Sequence, residues 1–169
     1  MDAKILHQIS YGLYIVSSIS GDKVNGQIAN TVFQITSDPP TIAVSINKDN
    51  CTHDFILDSE VFTVSILSTE APMKFIGRFG FRCGRDIEKF ENTDYKPGKT
   101  GAPIVLENSI GYLEAKVVNR LDVGTHTLFI GEVVDAQSLK TGEPMTYTYY
   151  HEVKGGKAPK AAPTYIEGN

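Results

Sequence analysis

A polar turn at residues 45–52 (SINKDNCT) has the residue types that bind a phosphate monoester. Lys48 supplies a positive charge, and the turn leads from a strand-like run into a helix-like run whose first backbone N–H groups are free to bind an anion. The neutral hydrogen-bonding groups of the turn are those of Ser45, Asn47, Asn50 and Thr52. The spacing alone leaves a second interpretation open, an ordinary strand-to-helix turn with Thr52 as its cap.

The preceding run, residues 26–31 (GQIANT), has small and amide residues where a strand normally has β-branched ones. A face of this kind lets a flat ring lie close to the backbone, with Asn30 and Thr31 bonding the heteroatoms of the ring. The alternative is a polar edge strand. The two cysteines, Cys51 and Cys83, form no CxxC motif, and the four histidines have no metal-ligand spacing, so no metal site is predicted.

The elements that must position these residues are mostly strands. β-branched and apolar runs predict strands over 13–20, 27–37, 41–47, 62–67, 110–121, 125–136 and 145–151. Short helices are predicted near residue 5, at 52–57 with Thr52 as the cap, and after a cap at Ser68 or Thr69. Residues 77–101 read as a long functional loop. The pattern predicts a mainly β fold, a closed antiparallel barrel with small helical covers.

The composition is that of a globular protein of one domain. The chain has 169 residues, of which 41% are hydrophobic, and a net charge of −4. The negative balance argues against nucleic acid as a partner. No run is long enough to cross a membrane, no signal peptide opens the sequence, and the two cysteines fit a reducing compartment, so a cytoplasmic location is expected. The expected division is a domain over 1–153 and a tail over 154–169.

Four ordered blocks together resemble the flavin reductase-like FMN-binding domain family. They are NGQIANTVFQITSDPPTIAVSINKDNCTHDFI from residue 25, FGFRCGRDIEKF from residue 79, GTHTLFIGEVV from residue 124 and YYHEVKGGKAPKAAPTYI from residue 149. The subgroup they resemble most is found beside rubredoxin and flavodiiron modules in anaerobes. The resemblance implies an FMN-binding split β-barrel that holds FMN non-covalently, as a homodimer.

The resemblance also implies which residues contact the cofactor. His126 is the candidate catalytic residue, near flavin and nicotinamide. The cofactor-binding residues would be Gln27, Ala29, Asn30 and Thr31 at the ring, Ser45, Ile46, Asn47, Lys48, Asn50, Cys51 and Thr52 at the phosphate, and Phe81, Arg82, Cys83, Gly84 and Arg85 in a loop beside the ring or ribityl chain. The chain departs from the family pattern at two positions. Cys83 stands where the family has a serine, and Thr125 stands where the family has an acidic residue beside the histidine.

The function that follows is an FMN-dependent oxidoreductase. NADH or NADPH would deliver hydride to the flavin, and the electrons would pass to free flavin, to a rubredoxin or flavodiiron-type partner, or to a ferric acceptor. The alternatives are a non-enzymatic FMN-binding redox sensor and a split-barrel protein like pyridoxamine-phosphate oxidase. The sequence leaves open the nicotinamide preference, the acceptor, and whether FMN is retained or released.

Overall fold

The computed structural model describes residues 3–165, and its largest element is one antiparallel sheet. The strands are β1 (Tyr14–Ser20), β2 (Lys23–Ala29), β3 (Val32–Ser37), β4 (Pro40–Asn47), β5 (Val61–Leu67), β6 (Tyr95–Pro97), β7 (Pro103–Val105), β8 (Ser109–Val123) and β9 (His126–Ser138). A short 3-10 helix, Ala3–Gln8, precedes them, and the α-helices are α1 (Cys51–Ser59), α2 (Met73–Gly80) and α3 (Tyr147–Glu152). The prediction of a mainly β fold with few short helices is confirmed.

The main sheet has seven strands in the order β2-β1-β5-β8-β9-β4-β3, and β6 pairs with β7 in a small separate sheet. Val16 from β1, Val44 from β4 and Phe129 from β9 pack in one buried cluster, so the sheet curls around its own core. Its ladder does not close, because β2 and β3 are edge strands that are not paired with each other in the described part of the chain. The expectation of a closed barrel is therefore wrong, and a split barrel describes the sheet.

The strands β8 and β9 form a long hairpin, and the turn that joins them lies close to the end of β4. Its strands pair up to Val123 and His126, and Gly124 at the turn has φ +78°, a conformation that favours glycine. The backbone N–H of Lys48 donates to the carbonyl of Thr125 at 2.9 Å, so the end of β4 is tied to this turn. The hairpin predicted over 110–136 is confirmed.

Two of the predicted strands are wrong in extent or type. The run 27–37 is broken at Asn30 and Thr31, because Val32 N–H bonds back to Asn30 O and closes a turn between β2 and β3. The run 145–151 contains α3, whose N-cap Thr146 accepts from the N–H of Tyr149. Alternating Thr and Tyr suggested a strand, but the helix places Tyr147 and Tyr150, three residues apart, in one aromatic group.

The helix starts also differ from the prediction. Asn50 is the N-cap of α1, and Thr52 lies inside the helix with its hydroxyl accepting from Asn25 Nδ2 at 2.9 Å. Pro72, rather than Ser68 or Thr69, is the N-cap of α2. The expected loop over 77–101 holds the end of α2 and the strand β6, so only residues 81–94 and 98–101 of it are irregular.

Candidate functional site

A cavity of about 270 Å³ opens between the end of β2, the N-terminus of α1, the loop after α2 and a C-terminal stretch of chain. Most of the predicted cofactor-binding residues line it, namely Gln27, Ala29, Asn30, Ser45, Asn47, Asn50, Cys51, Thr52, Phe81, Arg82, Cys83 and Gly84. Thr31, Ile46, Lys48, Arg85 and His126 do not line it. The fold therefore brings together three stretches that are far apart in sequence, and the cavity is the candidate functional site.

The N-terminus of α1 is open toward the cavity. Asn50 caps the helix with its backbone conformation alone, since its side chain makes no capping hydrogen bond. Asn50, Cys51 and Thr52 all line the cavity, so the first turn of the helix borders it. Arg82, also in the lining, is exposed and makes no ion pair within residues 3–165. A helix N-terminus without a side-chain cap and a guanidinium without an ion pair among the described residues both border this cavity, and both favour an anion.

Lys48, the predicted phosphate cation, has another partner in this structure. Its Nζ lies 2.5 Å from Asp122 Oδ2 in the β8–β9 hairpin. The hydrogen bond from Lys48, together with one from Gly124 N–H, lowers the pKa of the Asp122 carboxyl. The backbone bond from Lys48 to Thr125 directs the residue toward the hairpin, which explains why Lys48 lies outside the cavity wall.

The loop after α2 is held against β2 and α1 by close packing. A Cβ added to Gly84 would collide with the amide of Asn25, and that amide in turn bonds Thr52 in α1. Arg85 fixes the loop from outside the cavity: its guanidinium donates to Asp54 Oδ2 at 2.7 Å and to Asp49 O at 3.0 Å. Arg85 therefore positions the loop, and the resemblance-based prediction that this loop lies beside the ring or ribityl chain stays a prediction.

Lys89 lines the cavity and was missed by the sequence analysis. Its side chain is only 5% exposed, and its ammonium donates to Gly26 O at 3.0 Å and to Phe79 O at 3.1 Å. Burial lowers its pKa to about 8, so the group is still mostly charged at neutral pH. In the sequence, Lys89 resembles one more charge in a polar loop. The sequence feature that could have indicated the burial of Lys89 is the neighbouring Phe90, a core residue that draws the segment inward.

One buried polar atom of the cavity wall, Gln27 Oε1, has no hydrogen-bond partner among the described residues. Gln27 lines the cavity, and its free oxygen can accept from an N–H group of a ligand. His126 pairs across the ladder with Asn47, a lining residue, so it lies beside the cavity rather than in its wall. Burial lowers the pKa of His126, and the carbonyl of Ala161 offsets part of that effect.

The C-terminal strap, residues 157–164, forms one side of the cavity. Ala161 O accepts from Asn47 Nδ2 at 3.4 Å, and Thr164 Oγ1 accepts from Asn30 Nδ2 at 3.1 Å. No packing role is predicted for this stretch from its residues, because Gly, Pro, Ala and Lys lack the apolar bulk that indicates burial. The division at residue 153 stays a prediction, and residues 166–169 of the expected tail lie outside the described residues.

The described residues also bear on a membrane span and on a metal site. Within residues 3–165, no helix has the length and apolar character needed to span a bilayer. In the same residues, no cluster of His, Cys, Asp and Glu side chains is placed to hold a metal ion.

The curled sheet and the cavity define the class: a mainly β protein whose cavity opens at the N-terminus of a helix. A model of the family described as "Flavin reductase like domain" matches residues 6–156, and the chain belongs to this family. The predicted family and the prediction of a flavin-binding reductase are thereby confirmed.

Two relatives match nearly the whole chain. It is 54% identical over 168 residues to the high molecular weight rubredoxin of Moorella thermoacetica, covering 99% of this chain and 73% of that protein. It is also 54% identical over 167 residues to the ferric-chelate reductase (NAD(P)H) of Archaeoglobus fulgidus, covering 99% of both. Among solved structures, the FMN-binding protein of Thermus thermophilus with bound p-hydroxybenzaldehyde is 26% identical, with a TM-score of 0.72 over 78% of this chain and 74% of that one.

Proposed function

We propose that the chain is an FMN-dependent oxidoreductase that takes hydride from NADH or NADPH and passes the electrons to a ferric chelate or a rubredoxin-type protein. The observation that carries the proposal is the cavity. Among residues 3–165, an open helix start and an arginine without an ion pair border the same space as the buried Gln27 Oε1, which has no hydrogen-bond partner there. FMN has the matching groups, a phosphate and a flat ring with N–H and carbonyl edges.

The lining residues fit FMN in two sets. The phosphate set consists of the first backbone N–H groups of α1, the side chains of Ser45 and Asn50, and the guanidinium of Arg82. The ring set consists of Gln27, Ala29 and Asn30, where Gln27 Oε1 accepts a hydrogen bond and the small Ala29 leaves room for a ring. When bound, FMN supplies the ring that accepts hydride and releases electrons.

The residues of the chain contribute positioning and charge. Hydride transfer needs reacting atoms about 3–3.5 Å apart, so fixing the ring against β2 matters more than a general base. The buried ammonium of Lys89 places positive charge in the cavity wall, and positive charge favours a group that gains electrons. His126, next to Asn47 at the edge of the cavity, is the proposed orienting residue for the nicotinamide.

The acceptor is proposed from the relatives. The ferric-chelate reductase matches this chain over the full length of both proteins, which supports a diffusible ferric acceptor. The high molecular weight rubredoxin extends beyond the matched part, which supports a rubredoxin-type acceptor for the same reduced site. The family match supports a reductase over a pyridoxamine-phosphate-oxidase-like protein.

Turnover with defined acceptors tests the proposal. The purified chain, with and without FMN, is mixed anaerobically with NADH or NADPH and either ferric citrate or an oxidised rubredoxin. We expect FMN-dependent oxidation of the nicotinamide and reduction of at least one acceptor. A chain that binds FMN but reduces neither acceptor would support the redox sensor, and a chain that binds no FMN would remove both interpretations.

A further inference from the structure

The C-terminal strap covers the cavity but contributes little to the core. Residues of the strap that line the cavity are Lys157, Ala158, Pro159, Ala161, Ala162 and Pro163. In the strap only Thr164 is buried, at 8% exposure, while its other residues are half-buried or exposed. A segment with few buried apolar contacts opens more easily than the sheet beneath it.

Hydrogen bonds at three points attach the strap to the body of the protein. Tyr150 Oη donates to Lys157 O at 3.0 Å at its start, and Asn47 Nδ2 donates to Ala161 O at 3.4 Å in the middle. At the end, Thr164 Oγ1 bonds both Asn30 Nδ2 and Tyr147 Oη, the latter at 2.7 Å. Asn30 and Asn47 line the cavity, so the strap is attached to the residues that border the ligand space.

Within residues 3–165, the strap borders a second cavity and follows two glycines. A second cavity of about 370 Å³ also borders the strap, and Tyr147, Lys157 and Ala158 line both cavities. Gly155, two residues before the strap, has φ +66° and nothing near the position of a Cβ. Gly156 packs against the ring of Tyr150, so the turn falls at Gly155, and a chain that turns at a glycine beside a cavity can change direction without displacing core residues.

We propose that the C-terminal strap is a gate that closes over bound FMN and keeps the cofactor in the protein between turnovers. The inference rests on the proposed function and selects retention of flavin over its release. Each amide of Asn30 and Asn47 has more than one hydrogen-bonding group, so it can hold the strap and contact bound FMN at the same time. FMN exchange is then limited by opening of the strap, and electrons leave the protein from a retained flavin.

Thr164→Val tests the gate, because valine keeps the shape of threonine but accepts neither hydrogen bond. FMN association and dissociation rates are measured by stopped-flow fluorescence with the full chain. A looser gate speeds both directions, and we expect each rate to rise about tenfold, which corresponds to about 1.4 kcal/mol. Lys160→Ala, an exposed change in the same strap, is the matched control and keeps both rates.

Limited trypsin digestion gives a readout that does not depend on flavin chemistry. Lys157 and Lys160 are cleavage sites within the strap, and mass spectrometry identifies cuts after them. We expect bound FMN to slow these cuts and Thr164→Val to speed them. Cleavage unaffected by FMN, or a variant whose dissociation rate rises while its association rate stays constant, overturns the gate, because Thr164 would then act as a simple contact. A parent chain that takes up no FMN overturns the proposed function and the gate together.

Discussion

At the scale of single residues, charge pairing decides which positively charged side chain can bind the phosphate of FMN. Lys48 pairs with Asp122 outside the cavity, whereas Arg82 borders it without an ion pair among the described residues. Arg82→Ala should therefore weaken FMN binding roughly tenfold while leaving riboflavin binding nearly unchanged, because only FMN carries the phosphate. Fluorescence titration of both ligands measures the difference, with Lys48→Ala as the matched control. Equal loss of FMN and riboflavin affinity in Arg82→Ala would contradict a phosphate contact.

The buried ammonium of Lys89 gives a pH-dependent stability. Its pKa is about 8 in the folded chain and 10.5 in the unfolded reference. Between these values the unfolded chain holds the proton that the folded chain has released, so the contribution of Lys89 to stability rises with pH over that window. Urea unfolding across the window should show the parent gaining stability relative to Lys89→Met. A difference between the two proteins that stays constant with pH would show that Lys89 is not buried as described.

At the scale of elements, the loop after α2 must lie close to β2 for the cavity to form. Gly84→Ala places a methyl group against Asn25 and displaces the loop, so FMN affinity should fall at least tenfold. Gly77→Ala is the matched control, because a Cβ at that helical position meets nothing within 4 Å. The control should keep FMN affinity and gain about 0.5–1 kcal/mol of stability, measured by urea unfolding. Unchanged FMN affinity in Gly84→Ala would mean that the loop is not part of the site.

The elements also show what the sequence could and could not predict. Local patterns were sufficient for the β8–β9 hairpin and for the turn at residues 45–52, because β-branched runs and turn residues act over short distances. They failed for α3, where packing of Tyr147 and Tyr150 outweighs an alternating pattern. They also failed for the C-terminal strap and for the partner of Lys48, because both depend on contacts with residues distant in sequence.

At the scale of the whole molecule, an apolar surface predicts self-association. The hairpin–edge surface consists of exposed Phe33 and Ile35 on β3 and exposed Val118, Leu121 and Val123 on β8. The two groups lie on strands with β9 and β4 between them, and large apolar side chains that are exposed in groups, rather than singly, mark interaction sites. We expect a homodimer through this surface, which Leu121→Glu should weaken by at least tenfold, measured by analytical ultracentrifugation. Lys116→Glu, an exposed change on the same strand, is the control. A parent chain that sediments as an 18.5 kDa monomer at micromolar concentration would contradict the dimer.

Anaerobic titration of the FMN-loaded chain with NADH or NADPH tests the central claim most directly. The account predicts that the visible flavin absorbance bleaches in proportion to added nicotinamide, with about one equivalent sufficient, because one hydride carries the two electrons that a flavin accepts. Dithionite serves as the control for a reducible flavin, since it needs no nicotinamide site. A bound flavin that dithionite bleaches but neither nicotinamide reduces would contradict the account.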